Sequence, residues 1–348
     1  MARPATRRPG KSRWSVCRCR LRARTGGQGP YGQPLTDGPQ PRHGRAMLVE
    51  LIHNPASGTH DQFRLDILSH AFQACGAKVR VGTTKHDGRF EIFPEADLVC
   101  VSGGDGALRL VVASMVRSGI VKPLCIFPAG TVNLVAKELG YSSEPEKFAR
   151  EVMAGFLAKA VARLEAPLIT SDDQPFVACI SAGPDGQAVA RHSPALKKRI
   201  GGAAYAFSLI RLLADWPRLR FSLEVEAPDG AKTQLSSAAF YVIKAHHYAG
   251  NWTLAPRATI ASDICHVISL RRARRRDFFR FLATVALGRD PARLAFVQSL
   301  PARSLTIVAD DEPSRLAAFQ VDGDMLPAQP REIRMTGGSV TYCLPLKE

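Results

Sequence analysis

Val101-Ser102-Gly103-Gly104-Asp105-Gly106 is the stretch on which the fold turns. It ends an apolar run, Ala96–Val101, that reads as a buried strand, and it precedes Leu108–Val116, which reads as a helix closed by Gly119. Three glycines within four positions strip side-chain bulk from a strand–turn–helix junction. Backbone N–H groups can then approach a phosphate at the helix start. The spacing is neither a P-loop nor a GxGxxG fingerprint. A turn without a ligand could share the composition, but so compact a cluster after a buried strand favours a site. Asp105 could orient a metal or bond to backbone.

Two further turns repeat the geometry. His53-Asn54-Pro55-Ala56-Ser57-Gly58 follows the apolar strand Leu48–His53 and precedes Asp61–Ala74, whose Phe63, Ile67, Leu68 and Phe72 have helical spacing. Phe127-Pro128-Ala129-Gly130-Thr131-Val132-Asn133 follows the strand Leu124–Phe127 and opens a helix expected over Val132–Leu139, with Thr131 as its cap and a phosphate donor. Lys78–Val81 supplies one more strand. Strands alternating with helices predict a doubly wound α/β domain with a parallel sheet. Ligands on such sheets bind at the carboxyl ends of the strands, where all three turns begin.

Beyond about residue 160 strand-like runs dominate: Ala162–Ile169, Phe176–Ser181, Arg218–Glu226, Ala238–Lys244, Cys265–Leu270, Ser304–Val308, Ala317–Val321, Glu332–Met335 and Ser339–Leu344. Helical stretches near Leu196–Asp215 and Asp277–Leu287 interrupt them. The pattern predicts a second, antiparallel, β-sandwich-like domain. The expected organisation is a basic tail over 1–46, an α/β nucleotide-binding domain over 47–160 and a β-rich domain over 161–348. The C-terminal end of the last is free to return to the first.

Charge supports that division. Residues 1–46 hold eleven Lys/Arg against one acid, Asp37, whereas the remaining 302 residues hold 36 basic and 30 acidic side chains. The tail is rich in Arg, Pro and Gly, without an apolar period, and reads as disordered. Translation starting at Met47 is an alternative. With the charge so concentrated, nucleic acid is not the expected partner. The eight cysteines form no CxxC pair and no zinc-like spacing with His. A reduced, cytoplasmic compartment fits this usage.

The order NPxSG, GGDG, PxGTxN resembles the diacylglycerol kinase catalytic domain family, which is related to the sphingosine kinases. The resemblance continues in Ser181-Ala182-Gly183-Pro184-Asp185, in Tyr248-Ala249-Gly250 with Pro256 and Asp263 after it, and in Gln320-Val321-Asp322-Gly323-Asp324. It spans about residues 47–345. It implies a kinase that uses ATP and Mg²⁺ to phosphorylate a lipid hydroxyl, with ATP between the two domains. By position the nucleotide contacts are Asn54, Pro55, Ser57, Gly58, Thr84, Gly103, Gly104, Asp105, Gly106, Gly130, Thr131 and Asn133. The family's general base, the Glu of Asp-Gly-Glu, falls on Asp324, with Asp185 in support. Asp263 is the metal candidate.

Departures are specific. The family's GGDGT is followed by Asn and Glu; the corresponding residues here are Ala107, Arg109 and Leu110. Arg109 reads either as a compensating phosphate partner or as a solvated helix residue. Asp324 is one methylene shorter than Glu. Asp263-Ile264 stands where the family has Asp-Gly. Two other readings follow: a NAD kinase-like enzyme, which shares GGDG, and a nucleotide-binding regulatory protein with little catalysis. Arg271, Arg272, Arg274, Arg275 and Arg276, followed by Phe278, Phe279 and Phe281, suit peripheral contact with an anionic membrane face, or else a solvated turn before a core helix. The acceptor lipid is not encoded in any motif, and a homodimer is left open.

Overall fold

The structure is a computed structural model, and it describes residues 45–55, 61–84, 91–158, 162–190, 216–310 and 317–347. Ser57, Gly58 and the helical stretch expected near Leu196–Asp215 lie outside them, as does the tail up to residue 44. The described residues fall within one compact unit, His43–Glu348.

The chain opens with β1 (Leu48–His53), α1 (Gln62–Ala74), β2 (Lys78–Thr83), β3 (Leu98–Gly103), α2 (Asp105–Ser118), β4 (Leu124–Pro128), α3 (Leu134–Glu138) and α4 (Pro145–Ala158). β1 pairs in parallel with β2 and β3, and β3 in parallel with β4. All six residues of β3 are buried, so this sheet is covered on both faces. Asp61 caps α1 by accepting from Phe63 N at 2.9 Å, and α1 packs on α4, where Phe72 and Phe148 meet edge-on. α2 begins at Asp105, three residues before the apolar spacing predicts, because the glycine turn itself supplies its first residues.

The second half contributes β5 (Arg163–Ser171), β6 (Gln174–Phe176), β7 (Cys179–Ala182), α5 (Pro184–Ala190), β8 (Phe221–Glu226), β9 (Lys232–Ser237), β10 (Ala239–Ile243) and β11 (Cys265–Leu270). These are followed by α6 (Arg275–Ala286), β12 (Val297–Ala302), β13 (Ser304–Asp310), β14 (Phe319–Val321), β15 (Asp324–Met325) and β16 (Glu332–Cys343). One sheet runs β2-β1-β3-β4-β16-β13-β8-β9, with β5 on β16 and β6 on β5; the other runs β12-β11-β10-β7-β14-β15. The second sheet packs on the β8–β13–β16 part of the first. Phe221, Phe240 and Phe319 interlock edge-on there, with Ile180, Val267, Leu305 and Ile333 around them. α6 covers the outer face of the second sheet through Phe278 and Phe281. The architecture is therefore a mixed α/β sheet with a separate antiparallel sheet against it.

Three expected strands differ in a way the packing explains. Phe176–Ser181 is divided into β6 and β7, which belong to different sheets. The break falls at Val177 and Ala178, whose N–H groups donate to the Asp322 carboxylate rather than to a ladder. Glu332–Met335 and Ser339–Leu344 are one strand, β16, with a bulge between Met335 and Ser339 where Gly337 and Gly338 bend the chain. β16 then reaches both halves: Val340, Tyr342 and Cys343 enter the α/β core, while Ile333 enters the sandwich core.

Candidate active site

Strand register brings the turns to one ridge. His53 lies beside Thr83 and Ser102, and Gly103 beside Pro128, so β1, β2, β3 and β4 all end at the same level. Asn54 and Pro55 continue from β1, Thr84 from β2, Gly104 from β3 and Gly130 from β4. Thr84 is buried, and its N–H donates to His53 O at 2.9 Å. Pro55 and Thr131 are exposed on this ridge, and Asn54 is half-buried.

The glycine turn and the Gly130 turn touch. A Cβ placed on Gly130 would lie 2.5 Å from Gly104 Cα, and one on Gly103 would lie 2.7 Å from Ala107 Cβ. Asp105 fastens the two turns: its buried carboxylate accepts from Leu134 N at 2.8 Å and Val135 N at 3.0 Å. It therefore caps α3, and burial raises its pKa against those backbone donors. Asn133 brackets Gly130 from below, accepting from Gly130 N at 2.8 Å and donating to Gly130 O at 2.7 Å. Its left-handed backbone, φ 54°, is one that Asn tolerates. The helix expected from Val132 consequently starts at Leu134, with Asn133 and not Thr131 at the cap position. The Asn side chain has already closed the turn, which leaves Thr131 outside the helix.

The β14–β15 turn faces this ridge from the second half. Asp324 Oδ2 sits 2.5 Å from where a Cβ on Gly106 would be, so a side chain there would strike the carboxylate. Arg109 is not a solvated helix residue: its side chain is 19% exposed and faces two acids. Its Nη2 donates to Asp324 Oδ2 at 3.0 Å, and its Nε lies 3.9 Å from Asp322 Oδ2. The Asp322 side chain is fully buried, and it accepts from Val177 N, Ala178 N and Cys179 N at 2.9, 2.8 and 3.1 Å. Burial pushes its pKa up to about 7, opposed by Arg109 and these donors. Asp324 keeps half of its side chain exposed, so of the two it is the one a ligand can reach.

Asp185 is buried and stands behind the turn. Its Oδ2 accepts from Ser181 Oγ and from Tyr248 OH, while its Oδ1 has no hydrogen-bond partner among the described residues. Gln320 links Ser181 to Gly323, donating to Ser181 Oγ at 2.9 Å and accepting from Gly323 N at 3.0 Å. Asp185 is thus joined to the Asp322–Asp324 turn by a hydrogen-bonded chain. Burial raises its pKa against the Ser181 and Tyr248 bonds.

Glu138 of α3 escapes sequence reasoning altogether. It accepts from His246 N at 2.6 Å, Thr259 Oγ1 at 2.8 Å and Ile260 N at 2.8 Å, pinning the Gly130 turn's helix to the loops of the second sheet. No local pattern marks an acid whose partners lie more than a hundred residues away.

The donor chemistry bears on a metal. Asp105 and Asp322 are saturated by backbone N–H groups, and Asp263 lies exposed just before β11. Among the described residues no three His, Cys, Asp or Glu side chains converge. That donor set suits Mg²⁺ carried by phosphates and waters rather than by a protein cage.

A parallel α/β sheet whose strands end at one level, faced by an acidic turn from an antiparallel sheet, defines a two-part α/β and antiparallel-β class of protein. The diacylglycerol kinase catalytic domain profile matches residues 49–162, and that of the YegS C-terminal NAD kinase beta sandwich-like domain matches residues 178–343. Together they account for most of the chain, which belongs to the diacylglycerol kinase family. A Pseudomonas putida protein called "Probable lipid kinase YegS-like" is 29% identical over 224 residues, 63% of this chain and 71% of its own. A Bacillus subtilis diacylglycerol kinase is 25% identical over 248 residues, 69% and 78% of the two chains. The crystal structure of a diacylglycerol kinase from Bacillus anthracis superposes with a TM-score of 0.64 at 19% identity, covering 85% of this chain and 96% of that one. That likeness is one of fold.

Proposed function

We propose that this protein transfers the terminal phosphoryl group of ATP to the hydroxyl of a diacylglycerol-like lipid. The observation that carries the reading is Asp324 poised over Gly106, where an exposed carboxylate meets a side-chain-free helix start. The backbone of Gly104 to Gly106 and the Gly130 turn would hold the phosphates, with Asn54 and Thr131 beside them. Mg²⁺, when bound, neutralises phosphate charge. Asp324 accepts the proton of the acceptor hydroxyl as its oxygen bonds to the γ-phosphorus and the bond to the ADP oxygen breaks. Arg109 holds Asp324 in place and lies next to the charge that develops on the phosphate. Asp185 acts only through Ser181 and Gln320, as a positioning residue.

The test is phosphate transfer from radiolabelled ATP to a panel of long-chain alcohols in mixed micelles. Asp324→Asn is expected to lower turnover by about 100-fold or more while keeping nucleotide affinity. NADP formation in place of lipid phosphorylation would establish the NAD kinase-like alternative.

One observation favours a second reading, a nucleotide-binding regulator with weak catalysis. The Arg109 ion pair occupies the carboxylate that must accept a proton. On that reading Asp324→Glu, with Ala107→Thr, gains activity that the parent lacks; rapid turnover by the parent rules it out.

A further inference from the structure

Two arginine-bearing segments far apart in sequence are fastened into one basin. Trp216 Nε1 donates to Ala273 O at 2.6 Å, and its ring packs against Phe278 and Phe279 with centroids 5.6 and 6.2 Å away. This brings Arg218 and Arg220 beside Arg272, Arg274, Arg275 and Arg276 around a cavity of ≈ 1050 Å³ whose lining, among the described residues, includes no acidic side chain. Four of these six arginines lie in irregular chain, Arg275 and Arg276 open α6, and all six are exposed. Asp277, which follows Arg276, is buried, with its Oδ1 3.9 Å from Arg276 Nε.

The neighbouring helix has a matching surface. On α6, Phe279, Ala283 and Leu287 at its C-cap recur every four residues and are exposed, with Arg276 and Arg280 alongside. Phe279 is 41% and Leu287 68% exposed, large values for side chains of that size beside a core that buries Phe278 and Phe281. Arginines next to an apolar stripe on a partly exposed helix suit an interface between headgroups and acyl chains. The basin also lies at a telling end of the second sheet. Leu270 pairs with Ala239, and a Cβ on Gly183 would strike Ala239, so the arginines rise from the end of the sheet where β7 passes into Asp185.

We infer that the Trp216–Arg220 and Arg271–Arg276 segments, with the outer face of α6, form a docking surface for a bilayer rich in anionic phospholipid. Charge complementarity selects the occupant: a basin whose described lining holds six arginines and no exposed carboxylate meets a plane of phosphodiesters, and the apolar stripe beside it meets the acyl boundary. The surface stands apart from the kinase reading, because docking requires neither nucleotide nor turnover.

The experiment is sedimentation of the full chain, without ATP, with phosphatidylcholine vesicles that contain or lack phosphatidylglycerol. The protein is expected to partition onto the anionic vesicles and to be released by high salt. The triple variant Arg272→Gln, Arg274→Gln, Arg276→Gln should bind them on the order of 100-fold more weakly. The matching triple Lys variant should retain binding, which separates lost charge from lost folding. Equal partition of the Gln and parent proteins would overturn the inference. So would binding of a single-stranded RNA, sensitive to the same Gln substitutions, in place of vesicle binding. Loss of partition together with intact lipid phosphorylation in micelles would leave the kinase reading standing.

Discussion

At Gly130 the backbone of another turn occupies the space a side chain would need. Gly130→Ala would press a methyl group into Gly104 Cα and N and into Asn133 Oδ1. Both turns would have to part, at a cost of about 1–3 kcal/mol, and the phosphate-holding N–H groups would move with them. We expect a lower denaturation midpoint together with weaker binding of a fluorescent ATP analogue. A variant with unchanged midpoint and affinity would show that the contact is not needed. Such glycines were legible in the sequence because turn chemistry is local: the absence of a side chain is itself the signal. The acids were legible only in part. Asp105 was marked by its place in the turn, whereas nothing near Asp322 foretold that its carboxylate would gather three N–H groups from residues 177–179. The ion pairs of Arg109 escaped the sequence for the same reason, since both of its acids lie more than two hundred residues away.

Among the elements, α3 carries more of the assembly than its five residues suggest. Its N-terminus is held by Asp105 and its C-terminal Glu138 by the loops that follow β10 and precede β11. Removing the Glu138 charge weakens three hydrogen bonds at once. Bonds to a charged group contribute about 1.5–3 kcal/mol each, and neutral Gln retains part of that. Glu138→Gln is expected to speed amide hydrogen exchange at His246 and Ile260 while exchange in β1 and β3 stays as it was. Uniform acceleration across both halves would instead mean global destabilisation and refute a local latch. Helix and strand periods predicted α1, β1, β3, β4 and β11 closely, because each has a continuous apolar pattern and a clear stop. They failed where tertiary contacts set the boundary, as at β6 and β7. They also missed β9, whose Lys, Thr, Gln and Ser residues give no apolar alternation to read.

For the molecule as a whole, Lys244 reports on the junction between the halves. It is buried, its Nζ donates to Ser262 O, and it borders a small cavity with Val112, Ile260 and Tyr342. Burial lowers its pKa from 10.5 to about 8, although Cys265, Glu138 and Asp263 favour the charged form. From about pH 8 to 10.5 the folded protein has released this proton while the unfolded chain still holds it, so this group makes stability rise with pH over that window. Lys244→Met should remove the rise, read as the difference in denaturant unfolding between pH 7 and 10. A parallel pH response in both proteins would show that Lys244 is not its source. The two-part architecture was visible in the shift from alternating helices and strands to strands alone. The sharing of β5 and β16 between both cores was not, because a strand serving two cores looks, residue by residue, like any other strand.

The place of β16 has a consequence for how the protein is made. β4 finds its outer neighbour in β16, with Tyr342 beside Leu124, after about 200 intervening residues have been synthesised. At roughly 5–20 residues per second, the apolar edge of β4 waits about 10–40 s on the ribosome without its partner. An uncovered strand edge of that kind invites pairing between nascent chains. Slow translation through the β-rich half should therefore lower the soluble yield of this protein, and a chaperone that shields the β4 edge during synthesis should restore it.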